Sequence, residues 1–211
     1  VAAASESTFY SKSRAHLNRV SSMDDQYEND YCLTAEDMDA IVQCVGKGTL
    51  RNYAEQRFEG DVEGHDVRFA FSEKKAYEQT HLKEELGLSE EKAVAVIAPH
   101  AFSDAPHCDR DMVYRDYYQW YRRVLSLTGS ISHVQWLVKP HPSSSLYDET
   151  GVAESLARGF DHIRLVPSDV QTDSVLRVGD AVLTVRGTIG MEALLFDCQV
   201  VLAGNAIYEE I

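Results

Sequence analysis

Short apolar runs alternate with helix-like segments from Ala93 to the end of the 211-residue chain, and this alternation constrains the fold most. Candidate strands lie at residues 93–98, 134–138, 163–166, 181–185 and 200–203, most of them continuous apolar runs, and helical spacing lies between them at 114–127, 152–159, 172–178 and 188–196. Continuous apolar runs are typical of parallel strands that are covered on both faces. Repeated strand–helix units therefore predict an α/β fold with a Rossmann-like, doubly wound parallel sheet.

Residues 1–92 differ in character from the rest of the chain. Helical spacing lies at 5–20, 34–58 and 72–86, and a polar, glycine-containing stretch at 61–66 indicates a loop. Thr34, followed by acidic residues in the next turn, indicates an N-cap, and Gly87 is placed to end the third helix. We therefore expect a mainly helical connector or partial N-terminal domain over residues 1–92, and the wound sheet over residues 93–211.

Composition excludes several classes of function. The formal net charge of −14 and the pI near 4.9 argue against nucleic acid as a partner, because phosphate backbones attract basic surfaces. Four scattered cysteines favour reduced thiols in a cytosolic protein over a disulfide framework or a structural zinc site. The first residues do not resemble a signal peptide, and both ends look cut, so we expect a fragment of a longer protein.

Polar side chains follow the predicted end of nearly every strand. They are His100, Ser103, Asp104 and His107 after the first strand, Lys139, His141, Ser143, Ser144 and Ser145 after the second, Ser168 and Asp169 after the third, Arg186, Thr188 and Glu192 after the fourth, and Asn205 and Tyr208 after the fifth. Ligands of open α/β sheets bind in the crevice outside these strand ends. The arrangement predicts one ligand site at that edge of the sheet.

The turn after the fourth strand has the features of an anion site. Gly187 and Thr188 open a helix, whose first N–H groups and dipole favour negative charge. Arg186 can bind a phosphate with two hydrogen bonds, and Glu192 lies four residues after Thr188, on the same helix face, where it can accept hydrogen bonds from sugar hydroxyls. An ordinary packing junction is the alternative for this segment.

The loop after the second strand has Lys139 and His141 interleaved with prolines at 140 and 142. The prolines restrict the backbone and so hold the imidazole in one orientation, which lowers the entropic cost of binding a ligand. Lys139 and His141, with the hydroxyl of Ser143, suit a phosphate group. The alternative is a proline-bounded turn with a solvated lysine and a histidine that packs for structural reasons.

The loop after the first strand supplies the candidates for proton transfer, Asp104 and His100. Asp104 would take a proton from an acceptor hydroxyl, and His100 would either do the same or orient that hydroxyl. A turn capped by Asp104 is the structural alternative. A metal held by His100, Asp104, His107 and Cys108 is a further alternative, but no recognised ligand spacing supports it, so no metal is predicted.

A tyrosine-rich helix follows this loop. The tyrosines at 114, 117, 118 and 121 recur at helical spacing and predict one face packed on the sheet, with a platform for sugar stacking as the alternative.

In combination, the motifs resemble the bacterial capsule and surface-polysaccharide biosynthesis family, which includes the Kdo transferases of capsule assembly. The matching features are P-H-x-F-x-D at 99–104, D-Y-Y-x-W at 116–120, K-P-H-P at 139–142, D-A-V-L-T-V-R-G-T-x-G-x-E-A at 180–193 and V-V-L-A-G-x-x-x-Y at 200–208. The resemblance implies a GT-B glycosyltransferase, in which two Rossmann-like domains face a cleft. This chain would be the C-terminal, donor-binding part.

The resemblance also implies roles for the strand-end residues. Lys139, His141 and Ser143 would hold the phosphate of a nucleotide sugar, and Arg186, Gly187, Thr188 and Glu192 would complete the donor site. Asp104 matches the acidic residue that acts as the base. His100 stands where the family usually has Gln, and Arg186 where it often has Ser, so the donor stays open between CMP-Kdo and another nucleotide sugar.

The implied mechanism needs no metal and no cofactor beyond the nucleotide-sugar co-substrate. The implied partners are that donor and a glycan or glycolipid acceptor, at the cytoplasmic face of the inner membrane, with peripheral membrane association through the rest of the protein. This fragment alone would lack the acceptor half of the cleft and be inactive. The alternatives are a glycerophosphate or other phosphoryl-group transferase of wall polymer synthesis, and a non-catalytic nucleotide-binding module.

Overall fold

The computed structural model describes residues 8–9, 18–19, 34–59, 71, 74–104, 112–206 and 208. Residues 1–32 and 33–211 form two compact units. In the first unit, the short strands β1 (Thr8–Phe9) and β2 (Asn18–Arg19) pair antiparallel. The helix expected over residues 5–20 is therefore wrong at these strands, where pairing between distant residues overrides the local helical spacing. The predicted loop at 61–66, together with Cys32, His107 and Cys108, lies outside the described residues.

The second unit begins with helices, as predicted. They are α1 (Ala35–Val45), α2 (Lys47–Glu59) and α3 (Gln79–Glu85). Thr34 caps α1, because its Oγ accepts the Asp37 N–H at 3.2 Å while the Asp37 carboxylate accepts the Thr34 N–H at 3.0 Å. Gly46, with φ of 83°, separates α1 from α2, and Gly87, with φ of 62°, follows α3. The single helix predicted over 34–58 is thus two helices, and the third is shorter than the predicted 72–86.

The remainder is the predicted alternation of strands and helices. Its elements are β3 (Ala93–Ile97), α4 (Tyr117–Thr128), β4 (Val134–Val138), α5 (Val152–Ala157), β5 (Ile163–Leu165), α6 (Thr172–Val178), β6 (Ala181–Thr184), α7 (Thr188–Ala193) and β7 (Gln199–Leu202). Short 3-10 turns follow β4 at Ser144–Tyr147 and α7 at Leu194–Phe196. All five strands are parallel, in the order β5-β4-β3-β6-β7. The predicted strand bounds are confirmed to within one residue.

Both faces of this sheet are covered, which confirms the doubly wound α/β fold. Residues alternate across β3, because successive side chains of a strand point to opposite faces. Val94 and Val96 pack in a core with residues of α3 and α6, whereas Ala95 and Ile97 pack in a second core with residues of α4 and α5. Continuous apolar strands are the consequence of this two-sided burial.

Helix α4 packs on the sheet as predicted, but with a different set of aromatic rings. Asp116 caps the helix by accepting the Gln119 N–H at 2.7 Å. Tyr117, Trp120 and Tyr121 are buried, whereas Tyr118 is 38% exposed. The buried face is therefore centred between positions 117 and 121 and includes the tryptophan in place of Tyr118.

The strand order places the switch point of the fold between β3 and β6. From β3 the chain winds outward through β4 and β5, and it then returns to the other side of β3 to form β6 and β7. The connections that leave β3 and β6 diverge to opposite faces, and this divergence opens a crevice at the carboxyl ends of the two strands. The loops that begin at Ala98 and Val185 meet there.

Candidate functional site

A cavity of about 390 Å³ lies at the carboxyl ends of β3, β4 and β6. The predicted residues that line it are His100, Asp104, Lys139, His141, Ser143, Gly187, Thr188 and Glu192. Side chains from three strand ends thus meet in one crevice, at the position that the doubly wound topology favours for a ligand. Arg57 and Phe71, from the segment before the sheet, complete the wall near Glu192.

His100 connects the ends of β3 and β6. Its Nε2 accepts the backbone N–H of Arg186 at 3.2 Å, and its ring stacks on Tyr117 with 4.2 Å between ring centroids. Burial, followed by the charges of His141 and Arg186, lowers the pKa of His100 to about 3, so the ring is neutral at physiological pH. The Nε2 lone pair is used by the backbone. The geometry shows that His100 positions the start of the turn after β6, and its role in proton transfer stays a prediction.

Arg186 is directed at Tyr117. Its Nε donates to the Tyr117 hydroxyl at 2.9 Å, and Arg186 is not among the described residues that line the cavity. The structure thus does not bring the predicted phosphate-binding arginine to the cavity wall. One backbone donor of the turn that follows is also occupied, because the Gly187 N–H donates to Thr184 Oγ1 at 3.3 Å.

Asp104 lies in a turn that Glu149 holds against the cavity. The Glu149 carboxylate accepts the backbone N–H groups of Phe102 at 2.6 Å and Ser103 at 2.8 Å, and it also accepts the Ser103 hydroxyl at 2.6 Å. Burial, and then the nearby Asp104 carboxylate, raise the pKa of the Tyr147 phenol. Sequence reasoning missed Glu149, because nothing in its neighbourhood marks it as the partner of a loop 46 residues away.

In the proline-rich loop, Lys139 is buried, whereas His141 is only partly buried. Lys139 is buried, and its Nζ donates to the Val170 carbonyl at 2.6 Å. Burial, and then the charge of Lys74, lower the pKa of Lys139 to about 8, so it stays mainly protonated at pH 7. His141 accepts the Ser143 N–H at Nδ1 (3.3 Å), and burial lowers its pKa against the opposing effect of Asp104 and Glu149. Lys139 is thus a buried residue of the cavity wall that is bonded to the backbone, and His141 is a neutral group on the same wall.

Glu192 is buried in α7 with only 6% of its surface exposed, and it forms an ion pair with Arg57 of α2. Both Nε and Nη2 of Arg57 lie 3.3 Å from Glu192 Oε1. Burial raises the pKa of Glu192 to about 7, although Arg57 acts to lower it. No sequence pattern singled out Arg57. Arg57 lies in α2, a helix without recognised chemistry in its sequence, and it reaches the cavity only through the tertiary fold.

Gly190 allows the aromatic ring of Tyr208 to approach α7. Tyr208 is buried, and its hydroxyl donates to the Gly187 carbonyl. A Cβ on Gly190 would lie 2.9 Å from Tyr208 Cζ, well inside contact distance. Tyr208, predicted as a residue with ligand capacity, therefore has a structural partner that holds the turn of Gly187 in place.

We expect Gly190→Ala to lower the free energy of unfolding by about 1–3 kcal/mol, the usual cost of overpacking a filled site. The added methyl group displaces Tyr208 and breaks its hydrogen bond to Gly187. Urea denaturation followed by circular dichroism measures the effect. Gly48→Ala in α2 is the control, because a Cβ there meets no atom within 4 Å; equal stabilities of the two variants would contradict the prediction.

The described part of the chain contains no group of three or more His, Cys, Asp or Glu side chains that could hold a metal ion. Two of the four residues weighed for a metal, His107 and Cys108, lie outside it. None of the helices within the described ranges combines the length and apolarity that a membrane crossing requires.

Comparison with solved structures found similar folds. One is the Thermosulfurimonas dismutans KpsC, beta Kdo 2,7 transferase, with 19% identity and a TM-score of 0.41 over 74% of this chain and 48% of that chain. Another is the UDP-GlcNAc 2-epimerase from Neisseria meningitidis bound to UDP-GlcNAc, with 12% identity and a TM-score of 0.36 over 79% of this chain and 34% of that one. The chain thus spans about half of the first structure and a third of the second. No curated protein matches the sequence.

A family model matches the sequence in its C-terminal part. The family is described as capsule polysaccharide biosynthesis protein, and the match covers residues 130–211. This range includes the proline-rich loop and α7, and it thus contains six of the predicted cavity residues, from Lys139 to Glu192. This match supports the resemblance seen in the sequence motifs, since residues 130–211 are similar to the capsule polysaccharide biosynthesis protein family.

Proposed function

We propose that the chain is the donor-binding part of a glycosyltransferase of GT-B form that acts in bacterial capsule or surface-polysaccharide synthesis. The observation that carries the proposal is the position of Asp104 at the wall of a cavity of about 390 Å³ at the switch point of the sheet. Glu149 fixes the turn that carries Asp104 through its hydrogen bonds to Phe102 and Ser103. A carboxylate beside a cleft of this size suits proton transfer from a bound hydroxyl. The match of residues 130–211 to the capsule polysaccharide biosynthesis family supports the choice of substrate class.

In the proposed reaction, Asp104 takes the proton from an acceptor hydroxyl. The hydroxyl oxygen forms the new bond to the anomeric carbon of the donor sugar, and the bond between that carbon and the phosphate oxygen breaks. The leaving nucleotide keeps the electron pair. Its negative charge is stabilised by polar groups of the cavity that are fixed before the reaction begins, among them His141 and Thr188. Proton transfer requires no metal in this scheme.

The proposed donor is a nucleotide sugar, with CMP-Kdo as one candidate, and the proposed acceptor is a glycan or glycolipid. His100 orders the end of β6 by its bond to Arg186 N–H, so the turn that carries Gly187 and Thr188 is set before the donor binds. A preset turn lowers the entropic cost of binding. We place the reaction at the cytoplasmic face of the inner membrane, where the rest of the protein would meet a glycolipid acceptor.

The test is incubation of the full-length protein with CMP-, CDP- and UDP-linked sugar donors and a capsular oligosaccharide, followed by mass spectrometry of the products. We expect the acceptor to gain the mass of one sugar residue and the free nucleotide to appear. A product that carries a phosphodiester would instead show a phosphoryl-group transferase. Tight nucleotide binding without any product would show a non-catalytic module, and both outcomes contradict the proposal.

A further inference from the structure

The cavity has few groups that can balance the charge of a phosphate. Among the described residues that line it, the side chains with a positive charge at neutral pH are Arg57 and Lys139, because burial lowers the pKa of both His100 and His141. Lys139 directs its Nζ to the Val170 carbonyl and is 5% exposed. Arg186 donates its Nε–H to the Tyr117 hydroxyl and is not among the described residues that line the cavity. Arg57 is therefore the cation best placed to meet an anion.

The ion pair of Arg57 leaves donors for a ligand. Both of its hydrogen bonds go to one oxygen of Glu192, at 3.3 Å each, whereas close charge-assisted bonds measure about 2.7–2.9 Å. These bonds use two of the five N–H donors of the guanidinium. Within the described part of the chain, Nη1 has no hydrogen-bond partner, and the side chain is 21% exposed at the cavity wall.

The position of Arg57 is held by its neighbours. The next residue, Phe58, packs edge-to-face on Phe196 just after α7, with 5.7 Å between ring centroids, and its carbonyl accepts a hydrogen bond from Gln171. The Arg57 guanidinium lies 5.2 Å from the centroid of Phe71. A guanidinium supported on a ring and oriented by a buried carboxylate loses little entropy when it binds a phosphate.

We propose that Arg57, from the helical segment before the sheet, binds the phosphate group of the ligand in this cavity. Glu192 orients the guanidinium through one carboxylate oxygen, and the remaining N–H donors of Arg57 receive the phosphate oxygens. Arg57 thereby takes the role that the sequence predicted for Arg186. It lies outside residues 130–211, so the family match does not include it. The proposal rests on the proposed function, because it names the residue that would hold the donor's phosphate.

The test compares phosphate-bearing probes with their phosphate-free counterparts by calorimetry on the full-length protein. The probes are CMP, CDP, UDP and inorganic phosphate, with cytidine and uridine as the counterparts. Arg57→Gln alone would leave Glu192 buried without its partner, so the main variant is Arg57→Gln with Glu192→Gln, which keeps both shapes and removes both charges. Arg51→Gln, at an exposed position of the same helix, is the matched control.

We expect the double variant to lose at least tenfold in affinity for the phosphate-bearing probes while nucleoside binding is unchanged. Arg51→Gln should stay within about threefold of the wild type, because a tenfold change corresponds to loss of a whole charged contact. Glu192→Gln alone, which keeps the charge of Arg57, should lose less affinity than the double variant. Wild-type affinity in the double variant overturns the proposal and leaves the proposed function standing. An equal loss in Glu192→Gln alone also overturns it. Failure of the wild type to bind any of these probes overturns both proposals.

Discussion

Replacement of Asp104 by Asn is expected to lower the rate of sugar transfer by about 10²–10⁴-fold, the usual contribution of a positioned general base. The amide keeps the shape of the carboxylate but has no negative oxygen to take the proton of the acceptor hydroxyl. Nucleotide affinity should stay within a few-fold of the wild type, because Asp104 is not proposed to contact the phosphate. The measurements are kcat from product mass spectrometry and Kd from calorimetry.

The geometry around Asp104 makes this result specific to its charge. Glu149 holds the turn through Phe102 and Ser103, not through Asp104 itself, so the substitution leaves these three hydrogen bonds intact. Asp161→Asn is the matched control, since Asp161 is exposed and does not line the cavity. A rate for Asp104→Asn equal to that of the control would remove Asp104 from the mechanism.

Leu137→Ala is expected to lower the free energy of unfolding by about 2–5 kcal/mol. Leu137 lies in β4, between β3 and β5, and none of its surface is exposed. It packs in the core with Val96 and Leu176, so truncation removes apolar contacts and leaves a cavity that a strand bonded on both sides cannot close by moving. Urea denaturation with circular dichroism measures the change.

The control for this prediction is Leu127→Ala on α4, where the leucine is 41% exposed. Truncation of a surface side chain away from special features usually changes stability by no more than about 0.5 kcal/mol. If the two alanine variants unfolded at the same urea concentration with equal slopes, Leu137 would not be part of a tightly packed core.

The sheet could be predicted because its signals are local. Continuous apolar runs such as 93–98 indicate strands buried on both faces, and the observed strand Ala93–Ile97 is buried in that way from Val94 onward. Since parallel strands end at one edge, polar residues after each strand were expected to meet, and His100, Lys139 and Thr188 do line one cavity. The helix over residues 5–20 was wrong where strand pairing decided the backbone.

The partners of the site residues could not be predicted in the same way. Glu149 binds the turn of Asp104 across 46 and 47 residues of sequence, and Arg57 reaches Glu192 across 135. Neither pairing produces a periodic pattern in the sequence, because the sequence separation of the two partners depends on the lengths of all the helices and loops between them. The orientation of Arg186 likewise depends on Tyr117, which lies on another element.

From the sequence alone, the parallel doubly wound sheet and the edge at which its cavity opens could be predicted, and the motifs indicated a resemblance to the capsule polysaccharide family. Hydrophobic periodicity and strand-end motifs are properties of neighbouring residues, so they can be read without coordinates. Only the tertiary structure decided which side chains face the cavity and in what charge state. It places Arg57 at the wall and Arg186 against Tyr117, and it buries His100 as a neutral ring. Packing between segments that are distant in sequence determines how deeply each side chain is buried and which groups it contacts. Burial and contacts in turn determine the orientation of the side chain and its protonation state.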